Sequence, residues 1–144
     1  MAPHRYLEPL IRDDLAEKMV FVAGPRQVGK TTVAQQILAT AEAGVYLNWD
    51  NRDDRRDIRA ARWPGGPSLV ALDEIHKWRG WKGWLKGEFD KHRRTTRFLV
   101  TGSARLDVYR RGGDSLQGRY HHYRLHPSAT FATGPNERWI FSSP

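Results

Sequence analysis

Eight consecutive residues, Gly24-Pro25-Arg26-Gln27-Val28-Gly29-Lys30-Thr31, constrain this chain more than anything else in its 144 residues. They match the pattern G-x-x-x-x-G-K-[ST] and sit in the context its chemistry requires. An apolar run, Met19 to Ala23, precedes them, and Val33, Ile37, Leu38 and Ala41 follow at helical spacing. The glycines let the backbone turn so that successive N–H groups aim at phosphate oxygens. The helix beginning there adds the positive end of its dipole to the same place. Lys30 can reach β- and γ-phosphates, and the Thr31 hydroxyl can ligate Mg²⁺. An ordinary glycine-rich loop is the alternative, and the flanking strand and helix argue against it. Gly24 through Thr31, together with Thr32, are therefore the predicted nucleotide-contacting residues.

A second acidic motif supports the first. Leu69 to Glu74, LVALDE, places Asp73 and Glu74 at the end of an apolar run, 43 residues beyond Lys30. Open α/β sheets bind ligands at the carboxyl ends of their strands, beside such a loop. Asp73 is assigned to Mg²⁺, and Glu74 to orienting or deprotonating an attacking water. A Glu directly after the metal-binding Asp favours hydrolysis over transfer to another acceptor, which argues against a small-molecule phosphotransferase. The next apolar run, Arg97 to Thr101, ends in Thr101-Gly102-Ser103, where a hydroxyl can stand near the γ-phosphate.

The rest of the chain alternates in the same rhythm. Pro9 to Glu17 reads as a short helix, and from Lys30 a helix runs on until Gly44 stops it. Val45 to Leu47 is a second strand, Asp53 to Ala61 a charged helix, Ser68 to Leu72 a third strand and Trp81 to His92 a helix. Leu106 to Arg111 is a further helix, and Tyr120 to Leu125 a fifth strand ended by Pro127. Strands alternating with helices predict an α/β fold with a five-stranded, mainly parallel sheet. Residues 1–18 are then a helical lead-in, 19–127 the core, and 128–144 an irregular tail. No period is readable after Ser128.

Composition narrows the functional classes. Zero cysteines exclude disulfides, thiolate chemistry and Cys-ligated metal, and point to the cytoplasm. The apolar runs are far too short for a membrane span, and Asp13, Asp14 and Glu17 interrupt the place of a signal peptide. The net charge is +8 and uneven: −1 over residues 1–50, +6 over 51–97 and +3 over 98–144. A basic middle makes nucleic acid a candidate partner, although a solvated face of Arg–Asp pairs produces the same count.

Trp78, Trp81 and Trp84 recur every third residue beside Lys77, Arg79, Lys82 and Lys86. Packing on the sheet explains them better than base stacking, because that helix must bury one face. Gly80, Gly83 and Gly87 would each cost about 1 kcal/mol inside a helix, which predicts a later start or a close approach to the sheet. His121, His122 and His126 cannot easily converge on one ion, since neighbours on a strand point to opposite faces. They read as surface or edge residues.

The ordered series GPRQVGKTT, YLNWD, LDEIHKW, LVTGSARLDVYRRGGDSLQGRY and YRLHP resembles the AAA+ P-loop ATPase domain of a group of poorly characterised prokaryotic ATP-binding proteins. The likeness covers residues 5–127. It implies a three-layer P-loop NTPase sandwich, ATP and Mg²⁺ as ligands, and a homo-oligomer. It also implies that Lys30 and Thr31 are Walker A residues, Asp73 and Glu74 the Walker B pair, and Thr101 and Ser103 the sensor-one region. Arg119, immediately before the last core strand, falls where such proteins carry an arginine finger acting on a neighbouring subunit. Asp107 and Asp114 are its structural alternatives, and Arg110 and Arg111 are weaker finger candidates. Members of the group continue into a helical lid and a restriction-nuclease-like domain. This chain stops at Pro144, so it reads as an isolated domain, a truncated product or a frameshifted remnant without the lid, in which binding is better supported than hydrolysis.

Overall fold

The fold was analysed in a computed structural model that describes residues 7–24, 30–63, 68–103, 118–126, 133–134 and 137–141. Four helices and seven strands are described: α1 (Leu7–Leu15), β1 (Met19–Ala23), α2 (Lys30–Leu38), β2 (Gly44–Asn48), α3 (Arg52–Arg59), β3 (Ser68–Asp73), α4 (Trp81–His92), β4 (Thr96–Gly102), β5 (Tyr120–His126), β6 (Thr133–Gly134) and β7 (Glu137–Phe141). A single 3₁₀ turn, Ile75–Lys77, joins β3 to α4.

The sheet runs β2-β3-β4-β1-β5-β7-β6. Its first five strands pair in parallel, as the alternation of elements predicts. Strands this buried on both faces read as unbroken apolar runs, which is why MVFVA and SLVALD are recognisable at once. Alternate side chains feed two separate cores. Phe21, Val70, Leu72, Phe98 and Val100 face α3 and α4, joined by Ile58, Leu85 and Phe89. Val20, Val22, Leu69, Ala71 and Leu99 face α1 and α2, joined by Ile11, Val33 and Ile37. The result is the expected three-layer sandwich.

Local chemistry sets most helix boundaries. Asn51 caps α3 by accepting from the backbone N–H groups of Asp53 and Asp54 at 2.9 and 3.1 Å. Asp53 and Asp54 lie in its first turn and Arg56 and Arg59 in its last, both favourable to the helix dipole. α2 ends at Leu38 rather than running to Gly44, and Gly44 instead opens β2. A Cβ there would lie 2.9 Å from the end of the Leu38 side chain, so Gly44 lets that leucine pack close against β2 rather than ending the helix.

The glycines of α4 also depart from expectation. The helix starts at Trp81 as predicted, yet Gly83 and Gly87 lie inside it with nothing within 4 Å of a Cβ at either position. They neither delay the helix nor bring it onto the sheet. Gly83→Ala and Gly87→Ala should therefore each stabilise the chain by about 1 kcal/mol. In thermal unfolding that is a gain of roughly 3–4 °C per substitution, and a loss would mean that the open space is filled.

The region after β5 is not wholly irregular. Glu137–Phe141 forms β7, parallel to β5, and Thr133–Gly134 pairs antiparallel to it. A five-residue strand followed within three residues by the chain end carries too few alternations to be read from sequence. β5 is thereby an interior strand, and His122 on it is fully buried rather than at a surface or edge. His121 stays partly exposed near Asp14, at 3.9 Å. The predicted helix at Leu106 to Arg111 lies outside the described residues.

Candidate nucleotide site

The carboxyl ends of β1, β3 and β4 meet at one edge of the sheet, where β4 lies between β1 and β3. Ala23 pairs with Gly102, and the Gly24 N–H donates to the Gly102 carbonyl at 3.2 Å. Gly24 is buried at the start of the predicted phosphate loop. Pro25, Arg26, Gln27, Val28 and Gly29 lie outside the described residues. Lys30 opens α2, with Thr31 and Thr32 exposed in its first turn.

Asp73 ends β3, 8% exposed, and the fold surrounds its carboxylate with hydroxyl donors. Thr101 donates to Oδ1 at 3.0 Å, and the Tyr46 hydroxyl donates to Oδ2. Register explains the first contact, because Asp73 and Thr101 are paired on β3 and β4. Tyr46 comes from β2, on the other side of β3. The Thr31 side chain stands near the same phenol, so one tyrosine lies beside both predicted Mg²⁺ ligands. Burial, reinforced by the Asp73 carboxylate, pushes the Tyr46 phenol well above its ordinary value and keeps it a proton donor at neutral pH.

Tyr46 was not predicted as a site residue. A lone Tyr in a short strand carries no spacing signal, and only the sheet order brings it to Asp73. Tyr46→Phe should cost about 1–2 kcal/mol in urea unfolding, because it takes one donor from a nearly buried carboxylate. Unchanged stability would show that Thr101 alone satisfies Asp73.

Glu74 occupies a left-handed backbone conformation, φ 61° and ψ 21°, between β3 and the 3₁₀ turn. Such a conformation is disfavoured for a residue with a Cβ and is held by its surroundings. Here the Glu74 N–H donates to the Thr101 carbonyl at 2.9 Å. The side chain is 19% exposed and lies 3.5 Å from His76 Nε2 and 3.6 Å from Lys77 Nζ. Lys77 also grips both Asp50 oxygens at 2.8 Å. Ser103 Oγ stands 3.3 Å from His76 Nε2, so Ser103, His76 and Glu74 form one cluster. Burial holds the His76 imidazole below its ordinary value against the opposing pull of Glu74, leaving the ring neutral at pH 7.

Arg119 is not in this cluster. It precedes β5, whose Tyr120 pairs with Met19 at the amino end of β1, one strand length from Gly24 and thus roughly 15 Å away. Its guanidinium is held in fork geometry by Asp90 of α4, at 2.9 and 3.2 Å. Asp90 is a different partner from the two suggested by sequence; Asp107, Asp114, Arg110 and Arg111 lie outside the described residues. The Asp90 contact raises the arginine and lowers the carboxyl from their ordinary values.

The donor set suits a hard cation. A carboxylate and a hydroxyl meet at one strand end next to a phosphate loop, as Mg²⁺ with a nucleotide requires. Among the described residues no group of three or more His, Asp or Glu could hold a metal by itself. No helix among them is long and apolar enough to cross a membrane.

A protein-family model described as an AAA domain matches residues 16–131. The chain belongs to the AAA domain family. This AAA domain is a P-loop NTPase by fold and a nucleotide-binding domain of ATPase type. No curated protein matches it. Among solved structures it is similar to two variant forms of RuvB from Thermotoga maritima. One is 19% identical with a TM-score of 0.45, over 69% of this chain and 36% of that one. The other is 18% identical with a TM-score of 0.48, over 82% and 44%. PCH-2 of C. elegans is 15% identical with a TM-score of 0.44, over 96% and 41%. The chain thus spans less than half the length of each of these proteins.

Proposed function

We propose that this AAA domain binds ATP with Mg²⁺ and hydrolyses it. The convergence of Tyr46 and Thr101 on Asp73, with Thr31 near the same tyrosine, supports the reading, because it groups oxygen donors that suit a cation. The loop backbone and Lys30 take the phosphates, and Thr31 and Asp73 hold the cation. When bound, Mg²⁺ neutralises charge on the β- and γ-phosphates. Glu74 accepts a proton from, or orients, the attacking water. Ser103, through the neutral His76, and Lys77 at 3.6 Å fix the orientation of the Glu74 carboxylate.

Arg119 completes a site only in a neighbouring copy, since its own phosphate loop is a strand length distant. To do so it must exchange Asp90 for a phosphate. That pair favours a second reading, a nucleotide-binding module with little turnover of its own. ATP affinity and phosphate release with Mg²⁺, measured across protein concentrations, separate the two. Specific turnover that rises with concentration supports an assembled ATPase. Tight binding without phosphate release at any concentration rejects hydrolysis.

A further inference from the structure

A ladder of tryptophans fills the space between α3 and α4. Trp49 stacks on Trp78 with ring centroids 4.9 Å apart, Trp78 meets Trp84 at 5.2 Å, and Trp84 meets Trp63 edge-on at 6.0 Å. Trp49 is buried, whereas Trp63, Trp78 and Trp84 pack on the core but are only partly buried, so each keeps some exposed surface. Trp81, by contrast, packs on Phe21 in the core.

Arginines line the α3 side of the ladder. Arg55 and Arg59 each place a guanidinium carbon 5.2 Å from the Trp49 ring centroid, and both side chains belong to exposed residues. Their i, i+4 spacing puts them on one helix face. The Arg62 side chain next to Trp63 is 68% exposed, with an Asp57 contact of 3.9 Å that is worth little in water. Asp54 is turned to the backbone N–H of Asn48.

Exposed guanidinium groups beside half-open aromatic rings select among anionic partners. An acidic protein would satisfy the arginines and leave the rings unused. A duplex keeps its base faces stacked inside. A single strand presents phosphates and free base faces together. We propose that the α3–α4 groove binds single-stranded nucleic acid, with phosphates on Arg55, Arg59 and Arg62 and bases against Trp63 and Trp84. The groove borders the nucleotide site, because Trp78 follows Lys77, which lies between Asp50 and Glu74. Binding of the strand does not depend on ATP hydrolysis, so it can be tested with nucleotide omitted.

The test is fluorescence anisotropy of a labelled oligothymidine of about 20 nucleotides with the whole chain, between about 50 and 200 mM salt. Affinity should fall linearly with log salt, and tryptophan emission should be quenched on binding. Arg59→Glu/Arg62→Glu should weaken binding about tenfold or more and flatten the salt slope by about 1.4. Arg12→Glu/Arg97→Glu makes the same charge change at residues lining a cavity between α1, α2 and the sheet. It should weaken binding less than about threefold, as expected of a charge change outside the contact surface. Equal losses in the two variants would overturn the proposal. So would equal competition by a duplex or by polyglutamate, absence of quenching in the wild-type chain, or absence of binding at the lowest salt.

Discussion

Glu74→Gln is expected to bind ATP as the wild-type chain does and to release phosphate at least about 100-fold more slowly. The substitution keeps the size of the side chain and removes its capacity to accept a proton. It also leaves the backbone unchanged at a strained position, φ 61°, where the N–H is already held by Thr101. Loss of turnover can then be attributed to the carboxylate rather than to a shifted strand end. The contacts with His76 at 3.5 Å and Lys77 at 3.6 Å weaken when the charge goes. They do not include Asp73, whose donors are Tyr46 and Thr101. Nucleotide affinity should accordingly move less than about threefold. Equal turnover by Glu74→Gln and the wild-type chain would remove Glu74 from the chemistry.

Lys30→Ala should weaken nucleotide binding about 100-fold, measured by titration with a fluorescent ATP analogue. A charge-assisted contact to phosphate is worth about 2–3 kcal/mol, and Lys30 is the one lysine in the loop motif. Folding should survive, because Lys30 is the first residue of α2 and alanine is the stronger helix former. Unfolding curves that coincide with the wild type, together with lost affinity, would place the effect in the site. Retained affinity would show that backbone N–H groups and the helix end hold the phosphates by themselves.

Much of the scaffold was legible in the residues. β1 and α4 have the bounds that their apolar spacing predicts, and β3 and β4 extend past prediction by one or two residues. The strands are buried along almost their whole length and α4 buries Trp81, Leu85 and Phe89 on one face, so burial writes itself into composition and period. Helix termination was less legible. Leu38 ends α2 without a glycine, and Gly44 belongs to the following strand, packed against the Leu38 side chain. Gly83 and Gly87 misled in the other direction, since propensity penalises them while packing of Trp81, Leu85 and Phe89 holds the helix. β7 was hidden because so short a strand is specified by its neighbours β5 and β6 and not by its own alternation.

The sequence by itself determined the phosphate loop, the acidic strand end and the alternation of strands and helices, because each is encoded by neighbours within one element. Tertiary structure decided what those elements meet. Strand order β2-β3-β4 sets Tyr46 and Thr101 on either side of Asp73, and the end of β4 brings Ser103 to His76. It also decided that Arg119 binds Asp90 on α4, 29 residues earlier, and that four tryptophans form one ladder. Contacts between residues so far apart depend on which strands lie side by side, and no local period records that choice.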